Sequence, residues 1–402
     1  MKNNIKVKQA IILCGGLGTR LGNLTKNTPK PLLKINKSTF IDHIINHLVK
    51  YKFKKIILLT GYKSNQFKKK YQLKKIKNTI IFCKSEKKLM GTGGALVDAY
   101  RYLDNYFLLV NGDTFLDINY FDFIQKFKPN NSKLLMALIK KKNTKYGGVR
   151  FIKNRVVSLS KKNINSKYIN SGLYILDKSF LKTKEKKKYY SLENDFIQDL
   201  IKKNKVQSDV RNDFNIFIDI GTKNDLRTAK KIMKDFKRPA VFLDRDGVIN
   251  EDLGYVHKIN QFVWRKDVIK SIKLLNDKNY FVFVITNQSG IGRGYYSVSD
   301  VKKLHDWMNE TLYKNGAMID DYFIAPYFKG SKNYSSNFHF NLRKPNTGMI
   351  KLINKKWAID KKKMYLFGDQ ETDLQLGKKI LAKTFLIKKK TNILKVIKKN
   401  KI

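Results

Sequence analysis

The stretch RPAVFLDRDGVIN, residues 238–250, indicates that this chain starts a second domain well past its middle. Residues 240–243 form a short apolar run typical of a buried parallel strand. That run delivers Asp244 and Asp246 to the carboxyl end of the strand, where open α/β sheets place their chemistry. Because more predicted strands and helices follow, the stretch begins a new sheet and does not complete an earlier one.

Length and composition are consistent with two domains. The chain has 402 residues, more than one core usually supports, and 42% of them are apolar. We therefore expect two α/β domains, residues 1–236 and 237–402, each a mainly parallel, Rossmann-like sheet flanked by helices. Only Cys14 and Cys83 are cysteines, so no disulfide framework is expected, which suits a cytoplasmic location. No apolar segment is long enough to predict a membrane span.

The charge balance is strongly basic. Lysine and arginine number 84 against 32 acids, which gives a formal charge of +52. The electrostatic field of so much positive charge attracts nucleic acid, anionic lipid and phosphorylated metabolites alike. The lysines are scattered through nearly every segment, so we interpret them as a solvated surface and expect no nucleic-acid binding. Clustered aspartates are the more informative signal, because acids are scarce.

Two glycine-rich loops in the first half predict contacts to phosphate. Glycines let backbone N–H groups approach phosphate oxygens, although a tight turn explains a single such loop equally well. The first loop follows a predicted strand over residues 9–14, and the second opens a predicted helix. Together they supply Gly15, Gly16, Gly18, Thr19, Arg20, Gly91, Thr92 and Gly93. Lys30, between two prolines, adds to Arg20 a second cation of the kind that phosphoryl transfer uses.

Two predicted strands of the first half lead to aspartates. Residues 106–110 are followed by Asp113, and residues 215–218 are followed by Asp219. Two carboxylates at strand ends are suitable ligands for a Mg²⁺ ion that also coordinates a nucleotide phosphate. A helix cap or a turn explains either aspartate alone, but is a less simple explanation of both together.

The first half resembles the sugar-1-phosphate nucleotidyltransferases. The motifs GGLGTRL with PKP, GTGGA, NGD and FIDIGT carry the resemblance, over roughly residues 8–234. It implies that Arg20 and Lys30 bind and activate a nucleoside triphosphate, and that Asp113 and Asp219 hold Mg²⁺. A sugar 1-phosphate oxygen would then attack the α-phosphorus and release pyrophosphate.

The resemblance extends to the sugar-binding segments. The motifs YGG, NSG and SLE match the family and make Gly147, Asn170 and Glu193 candidate sugar contacts. A helix N-terminal cap explains the SLE segment equally well. Lys161 stands where the family has a glutamate that contacts sugar hydroxyls, so the identity of the sugar stays open.

The second half carries a set of acids and cations suited to phosphate chemistry. Two carboxylates one residue apart can reach one phosphoryl group, one as nucleophile and the other as proton donor. Four acids in this acid-poor chain predict a negative pocket that needs a cation. The candidates at predicted strand ends and loops are Asp244, Asp246, Asp369, Asp373, Thr286, Asn287, Arg343 and Lys344.

This half resembles the haloacid dehalogenase-type phosphatases over residues 239 to about 390. The resemblance implies that Asp244 becomes an aspartyl phosphate and that Asp246 is the general acid and base. Thr286 and Lys344 would bind the phosphoryl group. Mg²⁺ would be held by Asp369, by Asp244 and by the backbone carbonyl of Asp246, with support from Asp373.

Three motifs, FLDRDGVINEDLGYVH, TNQSGIGRG and RKPNTGM, are similar to the D,D-heptose 1,7-bisphosphate 7-phosphatases, with histidinol-phosphate phosphatase a close cousin. His257 and Arg343 are then candidate substrate contacts, although a core histidine or a loop cap equally explains His257. That subgroup commonly holds a structural zinc. Its ligand positions are here Ala325, Tyr327, Phe340 and Leu342, so no zinc is expected.

The two halves make chemical sense together, because the product of the phosphatase is the substrate class of the transferase. We expect a bifunctional enzyme that makes a nucleotide-activated heptose, GDP-heptose from GTP, with an oligomer possible. One alternative keeps both chemistries on another sugar, such as mannose 1-phosphate. A nucleic-acid-binding protein would follow from charge alone. A catalytically dead half is disfavoured, because every acid and cation named above is present.

Overall fold

A computed structural model describes residues 6–141, 148–160, 166–182, 184–185, 188–214 and 216–402. The chain divides into two compact units, Met1–Asp235 and Phe236–Ile402. No helix among the described residues combines the length and apolar content needed to cross a bilayer.

The first unit is built on a ten-stranded mixed sheet. Two two-stranded sheets, β2 with β3 and β8 with β14, accompany it. The strands of the unit are β1 (Gln9–Cys14), β2 (Lys34–Ile35), β3 (Ser38–Thr39), β4 (Lys55–Thr60), β5 (Lys75–Ile76), β6 (Thr79–Ser85), β7 (Tyr106–Asn111), β8 (Thr114–Leu116), β9 (Leu134–Lys140), β10 (Gly148–Ile152), β11 (Arg155–Ser160), β12 (Tyr168–Asp177), β13 (Val206–Arg211) and β14 (Phe217–Asp219). Its helices are α1 (Asn23–Lys26), α2 (Phe40–Lys50), α3 (Ser64–Tyr71), α4 (Gly91–Asp98), α5 (Tyr120–Lys126), α6 (Gln198–Lys202) and α7 (Lys223–Asp235). A π-helical turn, Leu192–Ile197, precedes α6.

The order of strands positions the first site. The main sheet runs β10-β11-β13-β9-β12-β7-β1-β4-β6-β5, and β8 pairs with β14 outside it. Strand β1 pairs in parallel with β4 on one side and β7 on the other. Strands that follow β1 in the sequence are therefore added first on its β4 side and then on its β7 side. At such a point of an α/β sheet a crevice opens at the carboxyl ends of the two strands, here β1 and β7.

The second unit is a five-stranded parallel sheet. Its strands are β15 (Arg238–Leu243), β16 (Phe281–Asn287), β17 (Asp321–Ala325), β18 (Ile359–Gly368) and β19 (Lys383–Leu386), in the order β17-β16-β15-β18-β19. The helices are α8 (Val268–Asp277), α9 (Ser289–Gly292), α10 (Val298–Tyr313), α11 (Asn337–Leu342), α12 (Gly348–Lys356), α13 (Glu371–Ile380) and α14 (Ile393–Lys399). Val241 and Leu243 enter one core cluster and Ala240 and Phe242 the other, so β15 is buried on both faces.

The predicted α/β class is confirmed, with details that the sequence did not give. The first sheet is parallel from β7 to β6, whereas β12 runs antiparallel to both of its main neighbours. Thr286 and Asn287 belong to strand β16 itself, because they pair with Ile324 and Ala325 of β17. Likewise Asp219 is the last residue of β14, in register with Thr114, and does not follow the strand.

Candidate active sites

A cavity of about 640 Å³ lies at the crevice of the first unit. It is open enough for a nucleotide and a sugar, which ordinary ligand pockets of this size accommodate. The predicted residues that line it are Gly15, Gly16, Gly18, Thr19, Arg20, Lys30, Gly91, Thr92, Asp113 and Glu193. The structure thus brings together residues separated by almost 180 positions in the chain.

The cavity holds a lysine–aspartate pair. Lys30 Nζ lies 2.6 Å from Asp113 Oδ2, with the Lys30 side chain 9% exposed and the Asp113 side chain 36% exposed. Asp219 lies on the strand next to Asp113, because Ile220 N–H donates to the Asp113 carbonyl. The two predicted metal ligands therefore lie at the same end of one antiparallel strand pair. Asp113 lines the cavity and Asp219 does not, so their shared metal site stays a prediction.

The first glycine loop packs against Lys30. Gly18 has a φ of 68°, and a Cβ there would lie 3.2 Å from Lys30 Cβ. Gly16 has open space instead, with no atom within 4 Å of where a Cβ would stand. Thr19 and Arg20 form a short exposed turn after this loop, and Arg20 makes no ion pair with a described residue. Arg20 is therefore available to an anion in the cavity.

The second glycine loop is tied to the segment before the π-helical turn. Thr92 Oγ1 accepts from Leu192 N–H at 2.9 Å, and Gly93 N–H donates to the Tyr190 carbonyl at 2.8 Å. Gly91 has a φ of 75° and no room for a Cβ beside that carbonyl. Gly93 does not line the cavity, so its predicted nucleotide contact stays a prediction that this geometry does not favour.

Asn170 and Glu193 meet as a pair. Asn170 Nδ2 donates to Glu193 Oε1 at 3.1 Å and also contacts the hydroxyl of Tyr174, which is fully buried. Ser191 caps the π-helical turn by accepting from Asn194 N–H, so the SLE segment both caps a helix and lines the cavity. Gly147 and Lys161 lie outside the described residues.

Sequence reasoning missed Glu86 in this cavity. Glu86 lines the wall, its Oε1 accepts from Met90 N–H at 3.3 Å, and its Oε2 lies 3.0 Å from where a Cβ on Gly15 would stand. Burial raises the pKa of the Glu86 carboxyl above its ordinary value. Its place one residue after β6 is a strand-end position of the kind that identified Asp113, and could have indicated it.

The second site is a compact cluster of buried charges. Asp244 after β15, and Asp369 and Asp373 after β18, each offer a carboxylate oxygen within 4.8 Å of the others. Lys344 Nζ lies 2.5 Å from Asp244 Oδ2 and 2.7 Å from Asp373 Oδ1. Gly368 is required here, because a Cβ would stand 2.2 Å from the Asp373 side chain.

This cluster fits a divalent cation. Three carboxylates and one lysine leave a net charge of −3 + 1 = −2 in a buried place. Burial raises the pKa of Asp244 to about 7, with Lys344 opposing and Asp373 adding to the rise. Burial likewise raises the pKa of Asp369. Hard carboxylate oxygens at these separations are the ligands that Mg²⁺ prefers, and enzymes of both families generally use Mg²⁺.

Asp246 is held apart from that cluster by hydrogen bonds. Arg245 donates to both of its oxygens at 2.7 Å, Asn250 Nδ2 donates at 2.9 Å and Gln288 Nε2 donates at 3.0 Å. Gly247 has a φ of 75°, and a Cβ there would stand 2.2 Å from Asp369 Oδ2. The glycine therefore lets the loop that carries Asp246 close onto the aspartates after β18.

Thr286 and Asn287 have different surroundings. Thr286 is buried beside Gln288, whose amide donates to its hydroxyl at 2.8 Å. Asn287 exchanges hydrogen bonds with the backbone of Lys344, at 3.0 and 3.3 Å. Asn287 thus orients the backbone of Lys344, and its second amide N–H is not used by these two bonds, so its predicted phosphate contact stays a prediction. Sequence reasoning missed Gln288.

His257 and Arg343 lie on segments that border this site. The ring of His257 stacks on Tyr296 with centroids 4.5 Å apart, and its Nδ1 contacts the Tyr255 carbonyl. One terminal nitrogen of Arg343 is buried and has no hydrogen-bond partner among the described residues. Both geometries are compatible with the predicted substrate contacts.

The positions that match zinc ligands in related phosphatases hold apolar and aromatic side chains. Ala325 and Leu342 are buried, and the rings of Tyr327 and Phe340 make an edge contact at 5.2 Å. These side chains offer no zinc ligand, and the expectation of no zinc stays a prediction.

Comparison with known proteins assigns each half. Residues 9–235 match the family described as Nucleotidyl transferase, and residues 241–381 match the family described as Polynucleotide kinase 3 phosphatase. The first half is 37% identical over 225 residues to the D-glycero-alpha-D-manno-heptose 1-phosphate guanylyltransferase of Campylobacter jejuni, covering 54% of this chain and 96% of the relative.

The second half is 38% identical over 157 residues to the D-glycero-alpha-D-manno-heptose-1,7-bisphosphate 7-phosphatase of Photorhabdus laumondii, covering 39% of this chain and 86% of the relative. Among solved structures, HddC from Yersinia pseudotuberculosis complexed with GMP-PN aligns over 56% of this chain and 100% of its own, with a TM-score of 0.50 and 27% identity.

Proposed function

The chain belongs to the nucleotidyl transferase family through its first half and to the heptose-bisphosphate 7-phosphatase family through its second, and from this premise we propose that it makes GDP-heptose in two steps. The second unit removes the 7-phosphate of D-glycero-D-manno-heptose 1,7-bisphosphate. The first unit then transfers GMP from GTP to heptose 1-phosphate and releases pyrophosphate. The observation that carries the proposal is that one chain has candidate residues for both chemistries at the strand ends of two sheets, and that the product of one reaction is the substrate of the other.

In the phosphatase unit, Asp244 is the nucleophile. One carboxylate oxygen of Asp244 attacks the phosphorus, the bond from phosphorus to the C7 oxygen breaks, and Asp246 gives that oxygen a proton. Water then attacks the aspartyl phosphate while Asp246 takes up its proton, which releases inorganic phosphate. Lys344 at 2.5 Å from Asp244 stabilises the charge on the transferring oxygens, together with the hydroxyl of Thr286.

Mg²⁺, when bound, would neutralise charge between the nucleophile and the phosphate. Asp244 and Asp369 would hold it, with Asp373 in support, because their carboxylate oxygens lie within 4.8 Å of one another. The family resemblance adds the backbone carbonyl of Asp246 as a ligand. Lys344 compensates part of the charge of the same carboxylates.

In the transferase unit, a sugar 1-phosphate oxygen attacks the α-phosphorus of GTP and pyrophosphate leaves. Lys30 and Arg20 line the cavity from two sides and stabilise the charge that builds on the phosphates. Asp113 and Asp219 would hold the Mg²⁺ that accompanies the nucleotide. Glu193 accepts hydrogen bonds from the sugar hydroxyls, and the amide of Asn170 donates to or accepts from them.

Glu86 supports guanine as the base. The Watson–Crick edge of guanine presents two neighbouring N–H donors, and a carboxylate offers two acceptors to match them. Adenine presents a ring acceptor in place of one donor there, which a carboxylate repels. Glu86 lies on the cavity wall between the two glycine loops, where a base would be bound.

The proposal is tested by supplying both anomers of heptose 1,7-bisphosphate, Mg²⁺ and each nucleoside triphosphate in turn, with phosphate, pyrophosphate and sugar nucleotide followed together. Phosphate release should depend on Asp244, as an Asp244→Asn variant would show. Sugar nucleotide should form best with GTP and should be lost in Lys30→Ala.

Phosphate release without nucleotide use would remove the transferase assignment. Mannose 1-phosphate outperforming heptose 1-phosphate would instead change the sugar and keep the reaction.

A further inference from the structure

Gln288 is buried at the second site with both ends of its amide in use, and the proposed reaction gives it no role. It is 2% exposed. Its Nε2 donates to Asp246 Oδ2 at 3.0 Å and to Thr286 Oγ1 at 2.8 Å, and its Oε1 accepts from the Tyr296 hydroxyl at 2.7 Å. One amide thus joins the proposed general acid to the proposed phosphate-binding hydroxyl.

Gln288 differs from the other two side chains that hold Asp246. Arg245 and Asn250 belong to the loop that carries Asp246, so they move with it. Gln288 follows the neighbouring strand β16, and its own N–H donates to the Ala325 carbonyl of β17 at 2.9 Å. It therefore ties the Asp246 carboxyl to a fixed point of the sheet.

Tyr296 supports Gln288 from a tightly packed position. The Tyr296 side chain is 8% exposed, and a Cβ on Gly290 would stand 2.3 Å from its ring. The other face of the ring is stacked by His257 at 4.5 Å. Gly290 is thus needed so that the Tyr296 ring can lie on the backbone, which explains one glycine of the TNQSGIGRG motif. The same ring connects Gln288 to the loop that carries His257.

We propose that Gln288, supported by Tyr296, is a positioning residue that sets the Asp246 carboxyl within reach of the leaving oxygen of a phosphoryl group bound at Thr286. This rests on the proposed phosphatase function. In that step the bond from phosphorus to the leaving oxygen breaks and the Asp246 proton passes to that oxygen. A misplaced Asp246 slows formation of the aspartyl phosphate only for leaving groups that need the proton, whereas the later hydrolysis of the aspartyl phosphate, which Asp246 also assists, is common to every substrate.

The choice of leaving group therefore separates positioning from general damage to the fold. A sugar alkoxide needs protonation as it departs, whereas the phenolate of p-nitrophenyl phosphate does not. Single turnovers report only the transfer of the phosphoryl group to Asp244, before the aspartyl phosphate is hydrolysed. Positioned general acids contribute roughly 10²–10⁴-fold, so Gln288→Met should lower the single-turnover rate for heptose 1,7-bisphosphate by about 10–100-fold. Its KM for that substrate, and its single-turnover rate of p-nitrophenolate release, should stay within about 3-fold of the parent chain.

Three further variants calibrate the effect. Asp246→Asn should remove the whole contribution of the general acid. In single turnovers it should likewise slow the heptose bisphosphate far more than p-nitrophenyl phosphate. Tyr296→Phe removes only the hydroxyl that Gln288 accepts from, and should slow the sugar phosphate by about 3–10-fold. Tyr280→Phe is the matched control, because Tyr280 lies in the same unit outside the site and ring-packs on Tyr365.

Nucleotidyl transfer by the first unit and tryptophan fluorescence from the second report folding of each variant in the intact chain. All three tryptophans, Trp264, Trp307 and Trp357, lie in the second half. Equal slowing of both substrates by Gln288→Met, or slowing of neither, overturns the inference.

If the unaltered chain hydrolyses p-nitrophenyl phosphate and another alkyl phosphate such as histidinol phosphate, but not the heptose bisphosphate, the proposed substrate is wrong. The Gln288 comparison is then decided on that alkyl phosphate. If the unaltered chain hydrolyses none of them, the phosphatase function fails and the inference fails with it.

Discussion

The two sites place a lysine beside aspartate in opposite environments. In the first unit, Lys30 pairs with one aspartate whose side chain is 36% exposed on the wall of an open cavity. In the second, Lys344 is 2% exposed between Asp244 and Asp373, with side chains 10% and 1% exposed. Both pairs lie at the carboxyl ends of parallel strands, so the same topology produces two different electrostatic settings.

The difference in the exposure of the charged side chains follows from the size of the molecule that each site must bind. A nucleotide and a sugar need a large cavity, so water reaches the charged groups and screens them. A single phosphoryl group needs little space, so the aspartates of the second unit can be buried, where each charge interacts more strongly. We therefore expect the second site to depend more on each charged residue than the first.

The largest expected effect comes from making the same substitution in both sites. Lys344→Met should lower phosphate release by about 10³-fold, because it removes a buried cation aimed at the transferring group. Lys30→Met should lower nucleotidyl transfer by about 10²-fold, because Arg20 and water remain in the cavity. Both rates are measured on each variant, with exposed Lys351→Met as control.

The same two substitutions should also differ in their effect on the free energy of unfolding. Breaking a buried ion pair costs about 3–5 kcal/mol, whereas a partly exposed pair costs about 1 kcal/mol or less. Without Mg²⁺, Lys344→Met should therefore lower the unfolding free energy far more than Lys30→Met. Equal losses of activity and of stability would show that the two environments are equivalent and would refute the comparison.

A smaller effect is expected at the base-binding wall of the first cavity. Glu86→Gln keeps the shape of the side chain but replaces one acceptor by a donor. The preference for GTP over ATP, measured as the ratio of kcat/KM values, should fall by about 10-fold. Phosphate release by the second unit is the internal control. An unchanged ratio would remove Glu86 from base recognition.

The smallest expected effect is a thermal shift of the second unit, followed by its tryptophan fluorescence. Saturating Mg²⁺ should raise its midpoint by about 5 °C at pH 8, because the ion binds only the folded cluster. Asp244 has its pKa raised by burial from 3.8 to about 7, so the folded state holds this proton at pH values where the unfolded chain has lost it.

The contribution of Asp244 to stability therefore falls as pH rises from about 4 to about 7. At pH 5 Mg²⁺ must displace the proton, so its shift should be smaller than at pH 8. Asp369→Asn should weaken the shift at both values. A larger shift at pH 5 would contradict the assigned pKa.

Much of the scaffold could be predicted because burial leaves a periodic signal. Strand β1 has the predicted limits, residues 9–14, since its apolar run is buried on both faces. The antiparallel strand β12 between β7 and β9 was not predicted. Its pairing depends on contacts among residues far apart in the chain, which local periodicity does not record.

The residues of the two sites could likewise be predicted only in part. Aspartates at strand ends were found because acids are rare in this chain and the carboxyl ends of strands meet at one edge of a sheet. Glu86 and Gln288 were missed because neither belongs to a cluster in the sequence. The hydrogen bond of Asn287 to the Lys344 backbone was not predicted either, because the RKP segment comes beside β16 only in the folded chain.

The sequence by itself determined the two α/β units, their families and the candidate acids and cations of the two sites, because those properties depend on residue type and local order. Tertiary structure alone decided which charges are buried, which face water and which amide holds Asp246. Burial and hydrogen-bond partners depend on strand order and on loops that meet across a sheet, and the same residues in a different packing would have different pKa values and different roles.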